Sequence, residues 1–380
     1  MYINFWYPIA LSDEVTNEQP LEVDVMSLKF VAFRDTEGKA HVLSNTCVHR
    51  GGALGRGKVN GDAVACPYHG WEFNGDGKCT RLPTNPLDQK PPARAKVDAY
   101  PVEERYGIVF AFLGDQAEDE RPPLYEIEVY EKEGWRANDV VVFEVNAYYQ
   151  RSVENGMDAA HNEFVHVLQG APSILERIRN TPIEVEDESE WGCGFMYQAS
   201  GSASEETKII GAGEGRTIAG SSHHGPNTLI TRINFSETRK FAQYFFEAPI
   251  SDSRTRIFFV NMRSWMMEPE KDQPLIDVNM RIAHEDIAVI EGLDPVRTPK
   301  STAKEVLTPA DKPIFRYRDF LQNFDERGWR IDWAELQDKR GDVAFAIPCP
   351  ARRTEKNWVL DAVPLVEAPK KKPELKGVAS

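Results

Sequence analysis

Four residues in two short runs have the types and spacing to do chemistry: Cys47-Val48-His49 and, after sixteen intervening residues, Cys66-Pro67-Tyr68-His69. Each run offers one thiolate and one imidazole at tight-turn spacing. Two thiolates and two imidazoles suit structural zinc, bound tetrahedrally. They also suit a [2Fe–2S] cluster with both thiolates on one iron and both imidazoles on the other, which raises the reduction potential above that of an all-cysteine cluster. Zinc fingers place their cysteines together and their histidines together on a helix, whereas each run here is mixed. Gly51 and Gly52 follow His49, and Gly70 follows His69. Glycine lets backbone N–H groups approach cluster sulfurs and tune them. The pattern points to iron–sulfur chemistry.

A second set lies downstream, in the stretch Asn155-Gly156-Met157-Asp158-Ala159-Ala160-His161-Asn162-Glu163-Phe164-Val165-His166. Val153, Met157, Val165 and Leu168 recur near helical spacing and predict a helix over 153–169. A five-residue step turns about 140° on an ideal helix, so both imidazoles face one pocket only if that helix is distorted. By itself a His-x4-His pair is weak; such pairs are commonly surface or core histidines.

Together the two sets resemble the Rieske non-haem iron oxygenases. The flanks His49-Arg50-Gly51-Gly52 and Cys66-Pro67-Tyr68-His69-Gly70-Trp71 look like that family's cluster loops, and Asn-x-x-Asp-x-x-His-x4-His resembles its mononuclear-iron motif, in the family's order. Respiratory Rieske proteins carry two further cysteines that bridge the loops. The matching positions here are Gly52 and Tyr68, so the resemblance is to the oxygenase type of centre. It implies that Cys47, His49, Cys66 and His69 hold the cluster and that His161, His166 and a downstream carboxylate hold Fe(II). The carboxylate is assigned to Asp286 in His284-Glu285-Asp286-Ile287-Ala288-Val289-Ile290-Glu291, with Asp294 as the alternative; His284 and Glu285 are expected to be structural or to support the ligands. By resemblance, the Asp158 carboxylate bridges His161 to the cluster His69 of a neighbouring subunit, so the active unit is expected to be a head-to-tail trimer. Asn155 is expected near the iron as a packing or water-holding residue. His223-His224 sits in a Gly/Ser-rich stretch read as a solvent-exposed loop, with a pocket role as the alternative.

The elements that must position these residues follow from patterning. The chain has 380 residues and a net charge of −15, long enough for a large core and too acidic for a nucleic-acid partner. Residues 47–96 reverse the sign, with eight Lys/Arg against four acids. They read either as solvated loops or as a docking patch for an acidic ferredoxin or reductase. Residues 1–118 read as an all-β cluster domain, with alternating runs such as Lys29–Phe33 and Ile108–Phe112 and a hairpin signal at Gly75-Asp76-Gly77. Residues 119–380 read as an α+β catalytic domain of helix-grip type, an antiparallel sheet with helices. Strand-like runs stand at 140–145, 228–235, 241–247 and 255–263, and helices are expected at about 274–292 and 310–325. The tail 366–380 is expected to be disordered. No apolar run is long enough to span a membrane, no signal peptide is expected because the N-terminus lacks a basic n-region and a small-residue cleavage site, and five scattered cysteines suit a reducing cytoplasm.

The resemblance covers nearly the whole chain. It implies the terminal oxygenase of a multicomponent system, using O2 and electrons from NAD(P)H delivered by a separate reductase, with or without a ferredoxin. The length fits the α-only group, which includes dicamba monooxygenase, vanillate O-demethylase, carbazole dioxygenase and the ketosteroid hydroxylases. Monooxygenation of an aromatic or polycyclic compound is the expected reaction, with cis-dihydroxylation as the alternative. A Rieske electron carrier would need only the first 115 residues or so, leaving the second ligand set without a purpose.

Overall fold

The computed structural model describes residues 1–86, 88–166, 174–201, 215–299 and 301–368. The first eleven strands build the N-terminal unit. They are β1 (Phe5–Leu11), β2 (Leu21–Val25), β3 (Leu28–Arg34), β4 (Ala40–Ser44), β5 (Lys58–Asn60), β6 (Ala63–Ala65), β7 (Glu72–Asn74), β8 (Cys79–Arg81), β9 (Ala99–Tyr100), β10 (Val102–Arg105) and β11 (Ile108–Leu113). They form three antiparallel sheets in the orders β1-β11-β10, β2-β3-β4-β9 and β5-β6-β7-β8. The expected hairpin joins β7 to β8, where Gly77 adopts a positive φ of 76°.

Eight further strands form one antiparallel sheet: β12 (Arg136–Ala137), β13 (Val141–Val145), β14 (Glu186–Ser189), β15 (Gly192–Gly201), β16 (Gly215–His224), β17 (Thr228–Asn234), β18 (Lys240–Pro249) and β19 (Thr255–Arg263). Its order is β12-β19-β18-β17-β16-β15-β14, and β13 also pairs with β19. The helices are α1 (Tyr149–Gly156), α2 (Asn162–Val165), α3 (Ile174–Asn180), α4 (Asp272–Ile290), α5 (Lys312–Glu326) and α6 (Trp333–Asp338). A short parallel pair, β20 (Phe345–Ala346) and β21 (Asp361–Ala362), follows.

β11 reads Ile-Val-Phe-Ala-Phe-Leu without alternation because both of its faces are covered. Val109, Ala111 and Leu113 face one core with Tyr7, Tyr149 and Phe324; Ile108, Phe110 and Phe112 face another with Phe246, Phe258 and Val260 of the large sheet. The even-numbered residues of β18 and β19 thus pack on the N-terminal unit. The odd-numbered ones face α1 and α4. On that side Phe241 packs with Leu275 and Val278, and Ile257 packs with Ile290, so α4 runs along the strands from the Arg263 end to the Ile257 end. Asp272 anchors the start of α4, accepting from Arg136 at 2.5 and 2.9 Å and from Arg263 at 2.5 Å.

Two expectations change. The helix expected over 153–169 is two pieces: α1 ends at Gly156 and α2 is a single turn. Between them the Asp158 carboxylate accepts the Ala160 N–H at 2.7 Å, a local turn that competes with the helix. The end of that expected helix, beyond residue 166, lies outside the described residues, as does most of the tail expected to be disordered. His223 and His224 end strand β16 rather than sitting in an exposed loop. His223 is 1% exposed, packs edge-on against Tyr317 and Phe320, and donates from Nδ1 to the Gly225 carbonyl at 3.0 Å. His224 is half-buried, with Nε2 donating to the Pro123 carbonyl at 2.9 Å.

Candidate metal centres

The two cysteine–histidine runs fold as two copies of one loop. The Cys47 N–H donates to the Gly52 carbonyl at 2.8 Å and the Gly51 N–H returns to the Cys47 carbonyl at 2.9 Å. In the second loop Cys66 donates to the Trp71 carbonyl at 2.8 Å and Gly70 to the Cys66 carbonyl at 2.9 Å. Gly51 and Gly70 both take left-handed backbone, at φ of 72° and 68°, which closes each loop without strain. The loops face each other, with the rings of His49 and His69 4.5 Å apart and Trp71 stacked on His49 at 4.4 Å.

This cradle fits an iron–sulfur cluster. Cys47 and Cys66 are buried while His49 is exposed. Burial, reinforced by the neighbouring Cys66, pushes the Cys47 thiol up to about 12, so its thiolate needs a bound cation. His69 Nδ1 is buried without a partner. A side chain at Gly52 would put its Cβ 2.7 Å from Cys66 Sγ and 3.3 Å from Tyr68 Cβ. Positions 52 and 68 are therefore close enough for the loop-bridging disulfide of respiratory Rieske proteins, and neither is cysteine.

The second centre is assembled from distant segments. α1 is held by Arg318 of α5, whose guanidinium donates to both oxygens of Glu154 at 2.7 and 2.9 Å. α1 also lies close on the sheet at Gly156, where a Cβ would come within 2.1 Å of a Leu229 methyl. The turn after α1 and the single-turn α2 bring His161 and His166 together, Nε2 to Nε2 at 3.1 Å. Asp286 Oδ1, from α4, stands 3.4 Å from His161 Nε2 and 3.2 Å from His166 Nε2. Three donors this close together could hold one metal ion between them, and their types are those of the 2-His-1-carboxylate iron sites. Burial opposes the charge on Asp286, but the facing imidazoles of His161 and His166 and the hydrogen bond from Asn155 overcome it and hold the carboxyl below its usual range.

The neighbouring residues set the orientations. His166 Nδ1–H donates to Glu285 Oε2 at 3.0 Å, which turns Nε2 toward the centre. His161 Nδ1–H donates at 2.6 Å to the backbone carbonyl of Asp158, not to its carboxylate. Asn155 Nδ2 donates to Asp286 Oδ1 at 2.9 Å across 131 residues of sequence. Asn155 thus stands near the candidate centre, in direct contact with the candidate ligand. The charge of Glu285 beside Asp286 was the one signal for its role. The alternative carboxylate, Asp294, lies beyond the end of α4 and outside this group, and His284 is exposed, bonded to Met280 of its own helix.

The chain carries two matched families. Residues 5–101 match the Rieske [2Fe-2S] domain and residues 145–327 match the vanillate O-demethylase oxygenase C-terminal domain. It is 35% identical over 232 residues to the oxygenase component of 3-ketosteroid-9-alpha-monooxygenase from Rhodococcus rhodochrous, covering 60% of this chain and 58% of that protein. It is 33% identical over 206 residues to the phenoxybenzoate dioxygenase alpha subunit of Ectopseudomonas oleovorans, covering 51% of this chain and 50% of the relative. The chain therefore matches little more than half the length of these relatives. Among solved structures, dicamba monooxygenase bound to dicamba superposes with a TM-score of 0.70 at 19% identity, covering 89% of this chain and 98% of that one. Pseudomonas putida CBB5 NdmA with caffeine gives 0.71 at 22%, covering 85% and 91%. At such identities the likeness carries the fold alone. With a Rieske domain first and an oxygenase domain of the vanillate O-demethylase type second, the chain belongs to the Rieske non-haem iron oxygenases.

Proposed function

We propose that this chain is the terminal oxygenase of a multicomponent system that inserts oxygen into a small organic molecule. In this reading Cys47, His49, Cys66 and His69 hold a [2Fe–2S] cluster in a unit of residues 1–118. His161, His166 and Asp286 hold Fe(II) in a unit of residues 119–380. The bound cluster would supply single electrons and the bound iron would activate O2, with one oxygen atom entering the substrate and the other leaving as water after two electrons and two protons are added. The observation that carries the reading is the nearly equilateral donor triangle of edges 3.1 to 3.4 Å.

The chain's own groups have stated tasks. Glu285 and the Asp158 carbonyl hold protons on the outer nitrogens of His166 and His161, so both Nε2 lone pairs point inward. Asn155 fixes one oxygen of Asp286. The Asp158 carboxylate, turned away from His161 within the chain, is assigned to the cluster His69 of a second subunit. That contact calls for a head-to-tail trimer. Electrons come from a separate NAD(P)H-dependent reductase, directly or through a ferredoxin. Five unpaired cysteines support a cytoplasmic setting, and among the described residues no helix is long and apolar enough to cross a membrane.

Monooxygenation of an aromatic or polycyclic substrate is the favoured reaction, in keeping with the ketosteroid relative. The dioxygenase relative keeps cis-dihydroxylation as the second reading. Iron analysis together with oxygen uptake coupled to product tests the whole. About three irons per chain and coupled product are expected; two irons and no product would leave an electron carrier.

A further inference from the structure

The sheet face beneath α1 and α4 carries a line of uncharged polar side chains. Ser221 stands opposite Thr231, Thr231 opposite Gln243, and Gln243 opposite Asn261. Four polar side chains thus form a band across four neighbouring strands. The row on one side of it is His223, Leu229, Phe245 and Phe259; on the other stand Ile233, Phe241 and Arg263. α4 lies across the band and sets Asn279 over it, where Gln243 Nε2 donates to Asn279 Oδ1 at 3.3 Å.

The band is unfinished. Asn261 is 1% exposed and Asn279 is 8% exposed. Yet both polar atoms of the Asn261 side chain, and Asn279 Nδ2, have no partner. Buried amides in native structures are paired with protein, with water or with a ligand. These orphans amount to two donors and one acceptor with no net charge. Among the described residues of this sheet face, the cations Arg136 and Arg263 are both spent on Asp272. Asn279 precedes Asp286 by seven residues, two helical turns, so the two share one face of α4 and lie about 10 Å apart along its axis. A molecule with one end at the donor triangle would reach the amides with its other.

We infer that Asn261 and Asn279, backed by Gln243, are specificity residues that grip an uncharged carbonyl of the substrate, a ketone or amide, about 10 Å from the reacting carbon. The inference rests on the oxygenase reading above and narrows its substrate class. The carbonyl oxygen accepts from both Nδ2 groups, and an adjacent N–H or O–H donates to Asn261 Oδ1. A carboxylate is disfavoured because it would enter without a counter-ion.

The test compares shape-matched pairs bound to the anaerobic full-length holoprotein at pH 7.5: acetophenone with benzoate, 2-acetylnaphthalene with 2-naphthoate, and 2-acetylphenanthrene with phenanthrene-2-carboxylate. In at least one pair the ketone should bind about tenfold more tightly than the acid. Asn261→Leu should erase that preference and Asn279→Leu should reduce it. The inference is overturned if no ketone is favoured over its acid, or if both variants keep the preference, in which case the amides hold only water. Comparison within the unmodified protein needs no variant to fold. Iron content of the same samples judges the oxygenase reading separately: about three irons per chain without ketone preference removes the carbonyl site and leaves the oxygenase intact.

Discussion

The two candidate metal centres are built on opposite plans. The cluster cradle is made of backbone: two loops repeat one pair of hydrogen bonds, each within six residues, and each closes on a left-handed glycine. The iron centre is made of side chains from segments far apart. Its supports, Glu285 on His166 and Asn155 on Asp286, cross 119 and 131 residues. A local cradle depends on its own loops. An assembled centre depends on α1, α4 and the sheet beneath them, so it should be the first to fail when tertiary structure is disturbed.

Removing a vertex is the most severe test of that independence. Asp286→Ala takes away the candidate ligand contributed by α4. Product formation should become undetectable and iron should fall from about three to about two per chain, with the visible absorption of the cluster unchanged. Loss of the cluster in the same variant would show that the two centres are not independently built.

Acid offers a second way to separate them. Burial lowers the His223 imidazole from its ordinary value to about 4. The folded chain therefore keeps this ring neutral while the unfolded chain takes up a proton below about pH 6.5. Stability from this group is intact above pH 6.5 and is lost as pH falls toward 4, by about 3 kcal/mol in all. Urea unfolding at steps between pH 7.5 and 4.5 should show that slope in the natural chain and a flatter one in His223→Phe. His223 stands opposite Leu229 on the sheet face that supports α1, so mononuclear iron should leave before cluster colour fades. Simultaneous loss would contradict the local-versus-assembled contrast.

The same contrast decided what could be read from sequence. The candidate cluster residues stood out because loops built within six residues leave their signature in adjacent letters. The strands β17 to β19 were legible from their apolar runs, and α5 from Ile314, Tyr317, Leu321 and Phe324 falling on one face. The break after α1 was not, because an Asp158 side chain capping Ala160 competes with a helix that apolar spacing otherwise favours. β16 was misread because its glycines and serines suggest a loop. Close strand packing explains part of that composition: a Cβ at Gly220 would lie 1.9 Å from the Phe195 carbonyl oxygen, and one at Gly192 in β15 would lie 1.7 Å from that of His223. The polar band of Gln243, Asn261 and Asn279 gave no signal, since register across strands is invisible in one sequence.

Glu285→Gln is a gentler probe of the assembled centre. It keeps a hydrogen-bond acceptor for His166 Nδ1–H but removes the charge that favours the inward-facing Nε2 lone pair. Such supporting partners are worth about 10- to 100-fold in metal affinity or activity. Iron should dissociate faster under chelator and activity should recover with added Fe(II). Activity lost beyond recovery by iron would mean that Glu285 holds the fold of α4 rather than the ligand.

The smallest effect concerns electron delivery to the cradle. The excess of basic residues over 47–96 is partly answered within the chain: Lys96 pairs with Glu355 at 2.6 Å and Arg81 with Glu72 at 3.2 Å. Arg50 stays exposed beside the cluster loops, its guanidinium 5.7 Å from the Tyr68 ring. A surface of this kind steers an acidic donor only while screening is weak, and the Debye length shrinks from about 30 Å at 0.01 M salt to about 8 Å at 0.15 M. Reduction by a separate acidic ferredoxin should therefore slow severalfold over that range, and Arg50→Gln should flatten the dependence. A single turnover begun from fully reduced protein should ignore salt, because nothing then has to dock. Equal salt sensitivity in both experiments would place the effect at the assembled centre instead of at the docking face.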